Sequence, residues 1–368
     1  MIILQPLSYI LYIANRVYAY WSLCVNYTLY AILYYFLGGI PPSYTTRPNP
    51  SKGYRPSVFV TGADEGIGKA IAFDLANHGW TVWAGVLNDA NGLKLEADWG
   101  THEDPQPERP VAGGGLYYMV CNVLDKEAIA SVVKDMTALS SNRRDCPLTA
   151  VVNVAGFCMI SPMEQTSRAD IQRMIDLDLM AYIDVTRAFL PLLKKRQGRV
   201  VNIGSYGGYM PVPGWATYNA VKAGLENMTR AWSYETTKLG VRMTTVRPGW
   251  VRTEGIGPKI MEAMKEYDKS STAVGFDSLG NAMEPEHPSA AAEAKAYKTM
   301  MEKWKKQVGT QTRLGTPAVN VAKTVRDALS EAWMQPVYTV AYDALLSQMF
   351  RDFLPEPVME WLTMKSFT

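Results

Sequence analysis

Ser205, Tyr218 and Lys222 have the types and spacing for proton transfer to or from an alcohol oxygen. Tyr218 follows Ser205 by thirteen residues, and Lys222 follows Tyr218 by four. On a helix, a spacing of four puts two side chains on one face, a turn apart. A phenol titrates near pH ~10, too high for a base at neutral pH, and a neighbouring ammonium lowers that value. A serine hydroxyl can hold the reacting oxygen while charge develops on it. Tyr-x-x-x-Lys alone is equally the mark of an ordinary surface helix, so its weight rests on the elements around it.

Those elements alternate. The apolar run 199–203 predicts a buried strand ending at Gly204-Ser205, and 218–234 predicts the helix carrying Tyr218 and Lys222. Gly207, Gly208, Pro211, Pro213 and Gly214 let the chain double back between them. Residues 57–61 predict a first strand, followed by Gly62, Asp64, Glu65, Gly66, Ile67 and Gly68, then a helix over 69–78. Strand, glycine turn and helix N-terminus form a cradle for a pyrophosphate. Further strands are expected at 81–86, 116–121, 148–153 and 241–246, with a polar insertion at 98–115 and a long amphipathic helix over 168–193. The pattern predicts a doubly wound parallel α/β sheet of Rossmann type, whose ligands bind beyond the strand C-termini. Gly62, Asn153, Ser205 and Pro248 all fall at such ends.

The second strand ends without an acid for a ribose 2′-hydroxyl and without a cation for a 2′-phosphate. Asp64 and Glu65 in the glycine turn would repel such a phosphate, which favours NAD over NADP. A formal net charge of +2 suggests no nucleic-acid partner. The four cysteines and three histidines have no metal spacing.

The N-terminus reads differently. Residues 17–39 carry no charge and are long enough for a spanning helix, with aromatic residues near both ends. A helix lying in the membrane surface or packed on the domain is the rival reading. We therefore expect a hydrophobic membrane-associated segment at 1–40, a linker at 41–56, a catalytic domain at 57–345 and an apolar tail at 346–368. The distribution of Arg and Lys places the linker and the residues after it in the cytosol. The expected location is the endoplasmic reticulum membrane, with a mitochondrial membrane as the alternative.

Thr61-Gly62-x-x-x-Gly66-Ile67-Gly68, Asn153-Val-Ala-Gly156, Ser205, Tyr218-x-x-x-Lys222 and Pro248-Gly-x-Val251-x-Thr253 together resemble the single-domain branch of the short-chain dehydrogenase/reductase family. Residues 83–87, Gly62-x-Asp64 and the segment 291–306 look like its retinol, hydroxysteroid and 3-hydroxybutyrate dehydrogenase group, which is largely membrane-associated and often uses NAD. The resemblance implies Tyr218 as general acid/base, Lys222 as its partner and ribose ligand, and Ser205 as anchor of the alcohol or carbonyl. The cofactor contacts it implies also include Gly62, Asp64, Glu65, Gly66, Ile67, Gly68, Asn122, Val123, Asn153, Ala155, Gly156, Pro248, Gly249 and Val251, with Thr253 at the nicotinamide amide. Three positions depart from the family pattern. Asp178 stands where the family has a catalytic Asn, Asn122 where an Asp meets adenine, and Val221 where a small residue precedes the lysine. Residues 254–312 would form the substrate loop.

The implied function is hydride transfer between NAD(H) and an alcohol or carbonyl of a lipophilic steroid or retinoid. A small-hydroxyacid dehydrogenase, with Arg252 or Lys259 as a carboxylate clamp, and a membrane-tethered NAD-binding pseudoenzyme are the alternatives. A homodimer or tetramer is left open.

Overall fold

The computed structural model describes residues 55–101, 115–142, 146–253, 260–261, 264, 290–331 and 334–367. The apolar runs form β1 (Ser57–Thr61), β2 (Thr81–Val86), β3 (Gly115–Val120), β4 (Leu148–Asn153), β5 (Arg199–Ile203) and β6 (Arg242–Pro248). Together with β9 (Val337–Val340) they make a seven-stranded, wholly parallel sheet in the order β3-β2-β1-β4-β5-β6-β9. Two short strands, β7 (Val251–Arg252) and β8 (Thr316–Pro317), pair with each other apart from it.

Central strands β1, β4 and β5 are buried at every position. Helices cover both faces, so these strands read as continuous apolar runs rather than alternating ones. Alternate side chains still part company. Val58 and Val60 of β1 join the core beneath α1 (Gly66–Asn77) and α8 (Ala318–Ser330), where Ile71, Leu75, Val321 and Val325 are fully buried. Phe59 enters the opposite core with α3 (Lys126–Asn142) and α5 (Ala181–Arg196), stacked on Phe189 at 4.8 Å. Each aliphatic side chain so buried contributes roughly 1.5–3 kcal/mol.

The chain runs outward from β1 through β2, α2 (Asp89–Thr101) and β3, then returns to the other side of β1 as β4. The crevice opened by this reversal lies at the C-terminal ends of β1 and β4. Thr61 Oγ1 stitches it, accepting from Val154 N at 2.9 Å and Ala155 N at 3.2 Å.

Three expected elements are revised. The helix over 168–193 is two helices, α4 (Arg168–Ile175) and α5, joined by a π turn at Asp176–Met180. The insertion begins later than residue 98, because α2 continues to Thr101. The sixth strand runs on to Pro248, held there by its pairing with β9. Beyond the sheet lie α7 (Ala290–Leu314), α9 (Tyr342–Phe353) and α10 (Glu356–Phe367). The N-terminal apolar stretch and its linker lie outside the described residues. Among those described, no helix is long and apolar enough to cross a membrane.

Candidate active site

The first half of the site is backbone. Gly62 and Gly66 have φ of 59° and 56°, in the region glycine reaches without strain. A Cβ on Gly62 would stand 2.9 Å from Ala155 Cα, and one on Gly68 would overlap the Gly62 carbonyl oxygen. The turn therefore closes only with glycine at both places. α1 starts here with no side-chain cap and no acid in its first turn. Its leading N–H groups and the helix dipole suit an anion. The Thr253 side chain stands 3.7 Å from a Cβ placed on Gly66, so the residue just after β7 closes over the same turn. This cradle fits the pyrophosphate of a dinucleotide. Ile67, Val123 and Val251 pack into the cores, so they can offer a ligand their backbone but little side chain. Asn122 is exposed, and its amide oxygen accepts from Leu124 N at 3.1 Å.

The second half is buried side chain. Tyr218 and Lys222 lie on α6 (Ala216–Thr237). Ser205 follows β5 and caps the short turn Tyr206–Gly208, accepting from Gly207 N at 3.1 Å. The Ser205 hydroxyl stands near enough to the Tyr218 phenol to pull its titration down. A Cβ placed on Gly207 would lie 3.4 Å from Ser205 Oγ and 3.6 Å from Tyr218 Cε1, so both groups border one small space. Lys222 Nζ donates to Ile203 O at 3.2 Å and sits 5.7 Å from the Tyr218 ring centre.

Asp178 completes this group. It sits on the π turn, which aims its carboxylate inward, and such turns recur at functional sites. Oδ1 pairs with Lys222 Nζ at 2.9 Å, and Oδ2 accepts from Phe157 N at 2.8 Å. Side-chain exposure is 1% for Asp178 and 4% for Lys222, so this is a desolvated ion pair. Gly156 makes room for it, since a Cβ there would come within 2.6 Å of Asp178 Oδ1. Arg173 on α4 and Arg187 on α5 flank the π turn and are the other cations near it in sequence, but the pair Asp178 forms is with Lys222.

Lys222 pulls the Tyr218 phenol down as expected, but burial is the larger effect, Cys158 and Asp178 add to the rise, and the phenol is raised on balance. Burial alone would lower Lys222, but Asp178, Tyr182 and Tyr218 outweigh it and hold the ammonium. Asp178 is raised by burial, against the opposing pull of Lys222 and the Phe157 N–H.

Asn153 serves the scaffold. Its Nδ2 donates to Thr186 Oγ1 at 3.0 Å and Asn202 Oδ1 at 2.8 Å, and Asn202 Nδ2 donates to Thr229 Oγ1 at 2.8 Å. This buried ladder locks β4 and β5 to α5 and α6. Sequence reading did not single out Thr186 or Thr229. It also missed Tyr182, which lies 5.1 Å from Lys222 Nζ by its ring centre and is pushed up by burial to about 12. The signal for Tyr182 was its place four residues after Asp178. Tyr218 packs against an apolar cluster that includes Cys158, Ile160, Ile260, Met264 and Trp304, with Trp215 and Trp250 on the same cluster.

This arrangement can hold a hydroxyl or carbonyl oxygen between Ser205 and Tyr218 and move a proton at the phenol, next to a cradle for a dinucleotide. A family profile described as short chain dehydrogenase matches residues 56–263. The chain belongs to the short-chain dehydrogenase family. Within the family it is 30% identical to mitochondrial D-beta-hydroxybutyrate dehydrogenase of Rattus norvegicus, over 61% of this chain and 63% of that protein. It is 33% identical to estradiol 17-beta-dehydrogenase 2 of Mus musculus, over 55% of this chain and 49% of the relative. Retinol dehydrogenase 5 of Homo sapiens is 30% identical over 53% and 57%. The matched stretches thus span about half to just under two thirds of these relatives. A short-chain dehydrogenase structure from Streptomyces avermitilis superposes with a TM-score of 0.59 at 23% identity, covering 85% of this chain and 98% of that one, and shares the fold.

Proposed function

We propose that the chain is an oxidoreductase that moves hydride between NAD(H) and the carbinol or carbonyl carbon of a lipophilic substrate of steroid or retinoid type. The observation that carries this reading is that Tyr218, beside Ser205, packs against an apolar cluster that includes Met264 and Trp304, with Trp215 and Trp250 alongside. Tyr218 gives or takes the hydroxyl proton, Ser205 holds the reacting oxygen, and Lys222 keeps a positive charge beside the phenol. Asp178 fixes that ammonium in place. When bound, the nicotinamide supplies or accepts the hydride. The turn at Gly62, Gly66 and Gly68 would hold the pyrophosphate, Lys222 the ribose and Thr253 the nicotinamide amide.

Asp64 supports NAD over NADP. Its Oδ2 accepts from Asn91 Nδ2 at 2.5 Å, which sets a carboxylate at the start of α2, where a 2′-phosphate would need a cation. A small hydroxyacid has less support, because Arg252 is exposed and the cluster that Tyr218 packs against is apolar; Lys259 lies outside the described residues. The assembled Ser205, Tyr218 and Lys222 favour an enzyme over a pseudoenzyme. Turnover of steroid alcohols, retinol and 3-hydroxybutyrate with each cofactor tests the reading. We expect the highest kcat/KM with a lipophilic alcohol and NAD. Preference for 3-hydroxybutyrate or for NADP overturns the corresponding part, and no turnover of any of them overturns the whole.

The same reading places the chain at a membrane. Its support is the uncharged stretch at 17–39 together with Leu345, Leu346, Phe353 and Trp361, each about half exposed on α9 and α10. Flotation of the full chain with liposomes should carry it upward, and a chain lacking residues 1–50 should stay below. Equal flotation of both would assign the contact to the α9–α10 tail.

A further inference from the structure

Helix α9 follows the edge strand β9 and has no part in the proton transfer itself. Yet it carries two carboxylates that reach back into the loops of the site. Asp343, in its first turn, accepts from Trp250 N at 2.8 Å. It lies so close to Gly249 that a Cβ there would overlap both carboxylate oxygens. Gly249 N also donates to Val340 O at 2.9 Å, at the end of β9. From Trp250 the contact continues toward the phenol. Trp250 meets Trp215 edge to face at 5.4 Å, and Trp215 meets Tyr218 at 5.5 Å.

Asp352, near the other end of α9, accepts from the Tyr209 hydroxyl. Tyr209 ends the turn that Ser205 begins, and its N–H donates to Tyr206 O at 2.9 Å. Two guanidinium groups, Arg247 of β6 and Arg351 of α9, sit over its ring, each 4.4 Å from the ring centre. Each such contact is attractive. Arg247 is itself held by both carboxylate oxygens of Glu226 on α6, at 2.5 and 3.0 Å. One helix therefore grips the loop after Ser205 and the loop bearing Trp250. The junction between β9 and α9 is strained as well, since Ala341 has φ of 94° without being glycine. A backbone of that kind persists where its surroundings over-determine it.

We infer that α9 is a positioning strap. Asp343, through Trp250 and Trp215, and Asp352, through Tyr209, set where the Tyr218 phenol and the Ser205 hydroxyl stand relative to each other. Neither carboxylate touches the reacting atoms. The inference rests on the reading of Tyr218 as the acid/base group, but its structural half can be measured without turnover.

Four variants of the full chain test it: Asp343→Ala, Asp343→Asn, Tyr209→Phe and Asp352→Ala. A displacement of the reacting groups by about 1 Å costs about 10²-fold in rate, so Asp343→Ala should lower kcat by about 10- to 100-fold. KM should change less than kcat, while NAD affinity should weaken modestly, since Gly249 and Val251 are among the implied cofactor contacts. Asp343→Asn keeps an oxygen for the Trp250 N–H and should recover most of the loss. Amide hydrogen exchange should quicken at 249–252 in Asp343→Ala, and at 205–210 in Tyr209→Phe and Asp352→Ala. Equal loss in Asp343→Asn and Asp343→Ala, or a rise in KM with kcat kept, overturns the strap. So does unchanged exchange in both loops. If Asp343→Ala does not fold, Tyr209→Phe removes one hydroxyl and decides by the same two readouts. If the parent chain turns over no alcohol, the functional reading fails while hydrogen exchange still decides whether α9 holds the loops.

Discussion

On the β1 side of the sheet the site is built from backbone; on the β4–β6 side it is built from buried side chains. Gly62, Gly66 and Gly68 act by having no Cβ, and the helix they open presents its N–H groups uncapped. Asp178 and Lys222 act by being charged where there is almost no water. The two halves bear loss differently. A backbone cradle depends on shape, so a single methyl group can spoil it. A desolvated ion pair depends on charge balance, and losing one partner leaves the other uncompensated. The first half offers a phosphate the N–H groups of an uncapped helix start. The second offers an alcohol a phenol with which to exchange a proton.

The largest effect expected from that division is at Tyr218. Tyr218→Phe removes the proton-transfer group alone, so turnover should fall by about 10²–10⁴ while NAD binding stays near its original strength. Single-turnover kinetics beside NAD titration would show this, and near-normal turnover would move the chemistry elsewhere.

Gly68→Ala comes next and should do the reverse. Its Cβ must displace the Gly62 carbonyl, an overpacking strain worth about 1–3 kcal/mol. We expect a lower Tm and weaker NAD binding. The pH dependence of any remaining turnover should keep its midpoint, because Tyr218 and its neighbours are untouched. A shifted midpoint would mean the halves are not separable.

The smallest effect is a change of pH profile. Asp178 raises the Tyr218 phenol, so Asp178→Asn takes away one upward push. Alcohol oxidation needs the phenol deprotonated and so rises with pH through its apparent pKa. The rising limb should therefore move to lower pH. An unmoved limb would show that Asp178 does not act on Tyr218. A limb moving to higher pH would mean that Lys222 had lost its charge along with its partner.

Much of the fold was legible because its signals are local. The strands at 57–61, 81–86 and 199–203 have the expected bounds, since each is a short apolar run cut off by a turn residue. The glycine turn could be read from three residues because its geometry depends on what they lack. Tyr218 and Lys222 were legible as a pair because both lie on one helix. Asp178 could be placed near Lys222 by resemblance, with Arg173 and Arg187 as rival partners, and the 2.9 Å pair with Lys222 bears the first reading out. The π turn that aims it leaves no periodicity to read, and the choice among Lys222, Arg173 and Arg187 belongs to packing.

The amino-acid sequence by itself determined which residues stand at the C-terminal ends of the strands, because hydrophobic run length and glycine placement set where each strand stops. Only the tertiary structure decided how those residues are charged and held. The phenol is raised rather than lowered because burial outweighs the ammonium beside it, and burial is a property of all the elements packed around α6. The grip of Asp343 on Trp250 joins residues 93 apart, and that of Asp352 on Tyr209 joins residues 143 apart. No local pattern encodes such pairs. They form because β9 adds to the sheet beside β6 and delivers α9 over the loops at its edge.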